Sequence, residues 1–445
     1  MQSSASLRTS GLTRRGFIQH VALASVLSGC ASAGLGGRAG FSFGPAAADV
    51  TSRSALIWLR PTGRSRVQVE YGLDAGLAGA LTTAAVEATA ETNYTATVNL
   101  VGLEPGRQYF YRGVRLPTEP GLEPVRGPIG RFRTPPEAAR EFRFAWSGDI
   151  EAGHQPFTLL DAVVRRDPDF FVLLGDTIYA DVPKARADLS LGGYRWKHRE
   201  NRADPHLQRL LASTAVVAMW DDHEVENDFD GTHPGIPEGR RAFREYWPVR
   251  THSADPSILY RRLAWGPGAD FFVLDCRQYR SPKEQGDGFD KTMLGRAQKE
   301  WLEEQLRASR ASFKFVVSSV PFLGSWGPDK WSGYATERAE LQRFIATERI
   351  GGVVFLSADI HAAMELEGWG VREFIAGPIA AWPLCQLVRD IRPRLEATGR
   401  FFICDAFNFG LVTVRPEKSP PEAEVEILDG ASAVRYRAVV RAGHA

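Results

Sequence analysis

Cysteine is scarce in this chain: Cys30, Cys276, Cys385 and Cys404 are the only four among 445 residues. They do not form the close pairs of a zinc knuckle. So few of them in so long a chain exclude a disulfide-built scaffold and leave room for one bridge in an oxidising compartment. Charge of one sign is lacking as well. The formal net charge of +1 leaves no basic footprint for nucleic acid and no acidic surplus, so charge names no partner. Beyond residues 1 to about 30, no apolar run approaches the ~20 residues needed to span a bilayer. Internal repeats are absent, and compositional bias is confined to the Ala and Gly stretch around residues 31–48. What remains is too long for one ordinary domain, and it reads as two domains behind an export segment.

That segment occupies residues 1–48. Arg14 and Arg15 precede a short apolar stretch from Val21 to Leu27, the form of a Tat signal, which carries folded proteins across a membrane. Leu27, Ser28, Gly29 and Cys30 resemble a lipoprotein box that would make Cys30 the acylated first residue, and cleavage nearer Ala46 to Ala48 is the competing reading. Any membrane association would run through that lipid alone. Residues 49–136 then read as short alternating strands between Gly and Pro turns, a small fibronectin-type-III-like β-sandwich. Leu103, Pro105 and Tyr109 have the spacing of a tyrosine corner, in which the phenol fastens a crossing loop. The region holds no cluster of acids and histidines, so its expected role is to brace the larger domain behind it.

From residue 140 to 445 strands alternate with helical stretches, and one pattern recurs. Phe170 to Leu174 is a continuous apolar run, as expected of a strand buried on both faces, and Asp176 and Tyr179 follow at its carboxyl end. Runs ending in Asp149, in Asp221 and Asp222, and in Asp359 repeat the arrangement, and His223 and His361 follow two of them. A single aspartate after a strand is usually a cap or turn residue. Four strand ends carrying acids are hard to explain that way. Carboxylates gathered in one place drive one another toward protonation unless multivalent cations sit between them.

The motifs GDTIYAD (175–181), WDDHEVEND (220–228), DKWSGY (329–334) and SADIH (357–361) together resemble the PhoD-like alkaline phosphatases and phosphodiesterases, within the calcineurin-like metallophosphoesterases that include purple acid phosphatases. The resemblance implies an αββα sandwich and a metal-activated hydroxide attacking phosphorus in small-molecule phosphate esters. It also implies iron(III) and calcium as cofactors, with manganese, magnesium or zinc as alternatives. Asp176 would bridge two metals, with Asp149, Tyr179 and His361 beside it and Asp222 and Asp359 facing the second position. His223 is the candidate proton donor, or else a residue orienting Asp222. Asp221, pointing the other way, is expected to orient ligands. Asp329, Trp331, Tyr334 and Arg338 lie on or after a Gly and Pro-rich loop, where a substrate-facing or catalytic role competes with simple packing. The chain departs from the family where several members carry a cysteine after the first strand, because Asp149 stands there instead.

Two function classes stay in view. One is an exported, periplasmic or extracellular phosphate-ester hydrolase, with phospholipase D-like diester cleavage as a variant. The other is a tethered surface-binding protein whose metals are structural. An open coordination position separates them, since structural sites are closed.

Overall fold

The computed structural model describes residues 40–119, 121–252 and 255–443. Arg14, Arg15 and Cys30 lie outside the described residues, so the fold does not bear on the export and lipid expectations. Buried apolar runs make the strands, as their composition dictates: Phe170–Leu174, Ala215–Met219, Phe313–Val317 and Val353–Ser357 are buried at every position. Such strands need cover on both faces. They obtain it from two sheets packed face to face, with helices outside.

The larger sheet has nine strands and the facing one seven. Phe142–Ser147, Phe170–Leu174 and Ala215–Met219 run parallel at the centre of the first. Phe313–Val317, Val353–Ser357 and Val371–Ile375 run parallel in the second. Aromatic side chains lock the two layers together: Phe144 of the first sheet lies edge-on to Phe271 and Phe315 of the second, at 4.9 and 5.0 Å between ring centroids. Mixed α/β architecture and the double sheet are as the sequence implies.

The region 49–136 is tied in more closely than the sequence implies. Gln108–Arg115 and its neighbours form a separate six-stranded sheet, and the backbone N–H of Glu104 donates to the Tyr109 hydroxyl at 2.9 Å, as a tyrosine corner requires. However, Ala46–Ala48 pairs in parallel with Ala215–Met219, and Ser54–Leu59 and Ala96–Val101 continue outward from it. The region 49–136 therefore contributes two strands to the larger sheet, joined to it through Ala46–Ala48, which the sequence reading counted with the export segment, and one apolar core runs through both. The expectation of a free-standing unit is corrected on this point. A buried ion pair, Arg261 on Asp49 at 2.7 and 2.8 Å, seals the junction.

Cys385 and Cys404 form a disulfide, while Cys276 is free and buried. No helix among the described residues is long and apolar enough to cross a membrane.

Candidate metal centre

The four acid-bearing strands end at one place. Gly175, with φ of 85°, lets two of those ends approach, because a Cβ there would lie 2.5 Å from that of Asp221. Asp149, Asp176, Asp359 and His361 themselves hold φ of 66°, 48°, 67° and 53°. That conformation costs a residue with a side chain on the order of 1 kcal/mol or more and persists only where the surroundings impose it. Here it turns each side chain out of the strand direction toward a common point.

Ligand atoms fall within 4.8 Å of one another in three groups: Asp149, Asp176 and His361; Asp176, Asp222 and His223; and Asp221, Asp222 and Asp359. Asp176 belongs to the first two groups, the position a bridging carboxylate must hold. The Tyr179 hydroxyl stands 2.9 Å from His361 Nε2, and the Tyr179 ring stacks on His223 at 4.1 Å. On the far side of His361, Nδ1 lies 2.6 Å from the Trp382 carbonyl, which fixes the ring and leaves Nε2 for the cluster.

Burial, with like charge nearby, governs the protonation of these groups. It holds Asp149 well above the usual carboxylate range, with Asp221 adding to the effect, and raises Asp176 in the same way with Asp222. It raises the Tyr179 phenol too, and it lowers His361 to about 4, so that imidazole is neutral at ordinary pH. His223 goes the other way. Burial opposes its charge, but Asp222 and the hydrogen bond to Asp181, 2.6 Å from Nδ1, raise it to about 9.

Four residues that the sequence did not reveal complete the site. Glu224, in the same DDHE run, accepts from the backbone N–H groups of Asp176, Thr177 and Asp221 at 3.1, 2.6 and 2.8 Å and from the Thr177 hydroxyl. It thereby ties two strand ends together. Asp181 holds His223. Arg277, fully buried, forks onto Asp221 and reaches Asp359 at 3.4 Å and Asp222 at 3.5 Å. Lys330 bridges Asp359 and Asp329. Burial opposes the Lys330 charge, yet Asp359 and Asp329 outweigh it and hold the ammonium above its ordinary value. Lys330 sits within the DKWSGY motif, between an acid and an aromatic that carry the stronger signals, while Arg277 carries no motif signal at all.

Most residues of that motif are placed differently from what a substrate-facing role needs. Trp331 and Tyr334 are fully buried in the core. Trp331 donates to Ser318 Oγ at 3.1 Å and Tyr334 to the Ser281 carbonyl at 2.7 Å. Loop packing is what they do, and the substrate-facing expectation is corrected. Asp329 also does not line the cavity, and it holds Lys330 instead. Arg338 does line it, while donating to the carbonyls of Phe322 and Gly324. Asp176, Tyr179, Asp222, His223, Lys330, Asp359 and His361 all face this cavity of about 1060 Å³.

Do these residues fit a metal? Both carboxylate oxygens of Asp149 and one of Asp359 are buried without a hydrogen-bond partner. A buried carboxylate left so is costly unless a cation completes it. Oxygen donors with two imidazoles suit a hard or borderline ion.

The fold is that of two solved phosphatases. A structure described as that of PhoD superposes with a TM-score of 0.76 at 23% identity, over 90% of this chain and 89% of that one. A purple acid phosphatase from yellow lupin (Lupinus luteus) seeds superposes with a TM-score of 0.62 at 13% identity, over 89% and 74%. In sequence, residues 144–383 match the family described as PhoD-like phosphatase, and residues 29–136 match its N-terminal domain. The chain belongs to the PhoD-like phosphatase family. Alkaline phosphatase D of Bacillus subtilis (strain 168) is 27% identical over 381 residues, which is 73% of this chain and 64% of that protein. The alignment thus spans under two thirds of the relative's length.

Proposed function

We propose that the protein is an exported, metal-dependent hydrolase of small-molecule phosphate esters. The observation that carries this reading is the position of Asp176, shared by two ligand groups at the floor of an open cavity, beside an Asp149 whose oxygens lack partners. Asp149, Asp176, Tyr179 and His361 would hold one ion, and Asp176, Asp222 and Asp359 a second. Bound there, a hard cation pair supplies positive charge to the phosphoryl oxygens and a nucleophile at neutral pH.

The chain's own residues do the rest. In hydrolysis the oxygen of water bonds to phosphorus, the bond from phosphorus to the leaving oxygen breaks, and that oxygen takes up a proton. His223 is placed to deliver it: it lines the cavity, is held cationic by Asp222 and Asp181, and has Nδ1 engaged by Asp181, so Nε2 is the atom free to donate. Lys330 adds fixed positive charge at the same wall. The cavity's access to substrate distinguishes this reading from that of a structural metal site in a surface-binding protein.

Iron(III) at the Tyr179 position and calcium beside it are the proposed ions. A phenolate on iron(III) absorbs visible light, so the loaded protein should be coloured and Tyr179→Phe should bleach it while leaving the fold intact. Elemental analysis finding only zinc, manganese or calcium in a colourless protein would remove the iron proposal and leave the hydrolase. A panel of phosphate mono- and diesters with defined metals tests the reaction itself, and absence of turnover on every member would sink it. Export rests on Arg14 and Arg15 with the apolar stretch behind them, and the Cys385–Cys404 disulfide supports an oxidising destination.

A further inference from the structure

A separate groove of about 770 Å³ opens between the helix Ile236–Tyr246 and the strand Ala96–Val101, which ends the nine-stranded sheet. It shares no lining residue with the metal cavity. Its helix and the segment after it bring four arginines, Arg240, Arg241, Arg244 and Arg250, against the single acid Glu245. So local a surplus of positive charge stands out in a chain whose formal net charge is +1.

Nothing within the groove relieves it. Glu245 is already engaged, by the Arg195 fork at 2.7 Å to each oxygen and by Arg241 at 3.1 Å. Arg250 donates to the Asp49 carbonyl and to Ser54 Oγ, at 2.9 and 2.8 Å. Arg240 donates to the uncharged amide oxygen of Gln278 at 2.7 Å. Arg244 has no hydrogen-bond or ion-pair partner among the described residues, and burial, with Arg240 adding to it, holds its guanidinium below the ordinary value. These two arginines stand one turn apart on one face of the helix, where like charges repel. The carboxyl end of a helix favours a cation. That accommodates the charge of Arg244 but gives its donors no acceptor.

The facing wall is polar and uncharged. Thr97 and Asn99 are exposed on the strand, with Thr92 just before it. Guanidinium forks opposite hydroxyl and amide donors match the oxygens of phosphate or sulfate. A water takes about 30 Å³ of liquid, and one such anion only a few times that, so the groove has room for several.

We propose that this groove binds a small polyanion carrying two or more tetrahedral oxyanion groups, phosphate or sulfate, gripped by Arg240 and Arg244. The site stands apart from the metal centre and does not depend on the phosphate-ester reading above.

The test is calorimetric titration of the metal-loaded full chain at low salt with myo-inositol hexasulfate, a compact polyanion that is not a phosphate ester, and with sodium sulfate. The hexasulfate should bind at one site, at least about tenfold more tightly than sulfate. Arg244→Gln removes a group without a partner in the fold and should weaken the hexasulfate about tenfold to a hundredfold. Adding Arg240→Gln should weaken it further. Arg343→Gln makes the same change of charge at an exposed position of the helix Ala335–Thr347, outside the groove, and should leave the affinity unaltered. Without ligand, Arg244→Gln should melt no lower than the unaltered protein, because a repulsion is lost and no bond is.

Affinity that survives the double variant overturns the proposal and places the polyanion on Arg338, Arg394 and Arg400 at the metal cavity. An equal loss in Arg343→Gln also overturns it, since diffuse charge and no site would then be responsible. Sulfate binding as tightly as the hexasulfate leaves no polyanion site. A dimer in sedimentation that the hexasulfate dissociates gives the groove to a second copy and equally overturns the proposal.

Discussion

The acidic cluster has two sides made of the same residue types, and they meet the problem of crowded negative charge in opposite ways. Around Asp221 and Asp222 the chain supplies its own cation. Both are buried, as is Arg277, which forks onto the first and lies 3.5 Å from the second. Burial opposes the charge on Asp222, but Arg277 together with His223, Lys330 and the Asp228 N–H outweighs it and holds that carboxyl well below the ordinary range. Around Asp149 no guanidinium or ammonium forms a hydrogen bond, both oxygens lack partners, and burial holds the carboxyl well above its range. Asp359 stands between, with one oxygen on Lys330 and Arg277 and the other free. Equal burial with opposite outcomes shows that where the protein wants a completed charge it builds one. The incomplete side is where a cation from outside would relieve most, while an ion held by Asp222 and Asp359 would share those carboxylates with Arg277 and Lys330.

That contrast breaks most severely at Asp176. Replacing a carboxylate shared by two ligand groups should cost more than the 10- to 100-fold typical of an outer-sphere change, so Asp176→Ala is expected to lose bound metal and over about 100-fold in turnover. Full metal content with unaltered turnover would place the site elsewhere. The completed side is probed by Arg277→Met, which strands Asp221 in the interior. Removing one partner of a buried pair costs about 3–5 kcal/mol, to be read from urea unfolding of metal-saturated protein, and a loss under about 1 kcal/mol would mean that the arginine does not compensate the acid.

Glu224→Gln sharpens the comparison at its midpoint. The amide can accept only on one oxygen and faces backbone donors with its NH₂, so the strand ends should shift and metal affinity fall by about 10- to 100-fold. Retained affinity would show that Glu224 ties the loops without positioning ligands. The smallest effect is a slope. Asp149 and Asp176 are raised above the ordinary carboxylate value by burial and neighbouring acids. In metal-free protein their stabilising contribution is therefore present below the unfolded value of ~4 and lost as pH rises through the folded values. Chelated protein should lose melting temperature from about pH 4 upward while loaded protein holds its own. Parallel curves would mean that no cation relieves these groups.

The strand-end acids were legible in the sequence because a strand buried on both faces is a continuous apolar run, and a charged residue directly after it stands out. Arg277 and Lys330 were not. Arg277 pairs with acids 56 and 82 positions away along the chain, and Lys330 reaches past its neighbour Asp329 to Asp359, 29 positions on, and nothing local marks such distant partners. Trp331 and Tyr334 misled for a related reason. Aromatics in a Gly and Pro-rich stretch look like surface loop, yet a single 3-10 turn over Trp331–Tyr334 folds both into the core. The alternation in residues 49–136 revealed strands correctly. It says which face of a strand is buried and not which neighbour it pairs with, so the two strands of this region that extend the larger sheet could not be told from those of the separate one.

That donation sets a timetable for synthesis. Ala48 pairs with Val216, and at a ribosomal rate of about 5–20 residues per second its partner emerges roughly ten to thirty seconds later. Until then Ala46–Ala48 and the strands beside it have the edge that Ala215–Met219 will cover and no strand to cover it with. A strand made early thus waits for one made near the middle of the chain. An unpaired strand edge in a half-made chain is an invitation to wrong partners, and this one stays open until Ala215–Met219 has been made.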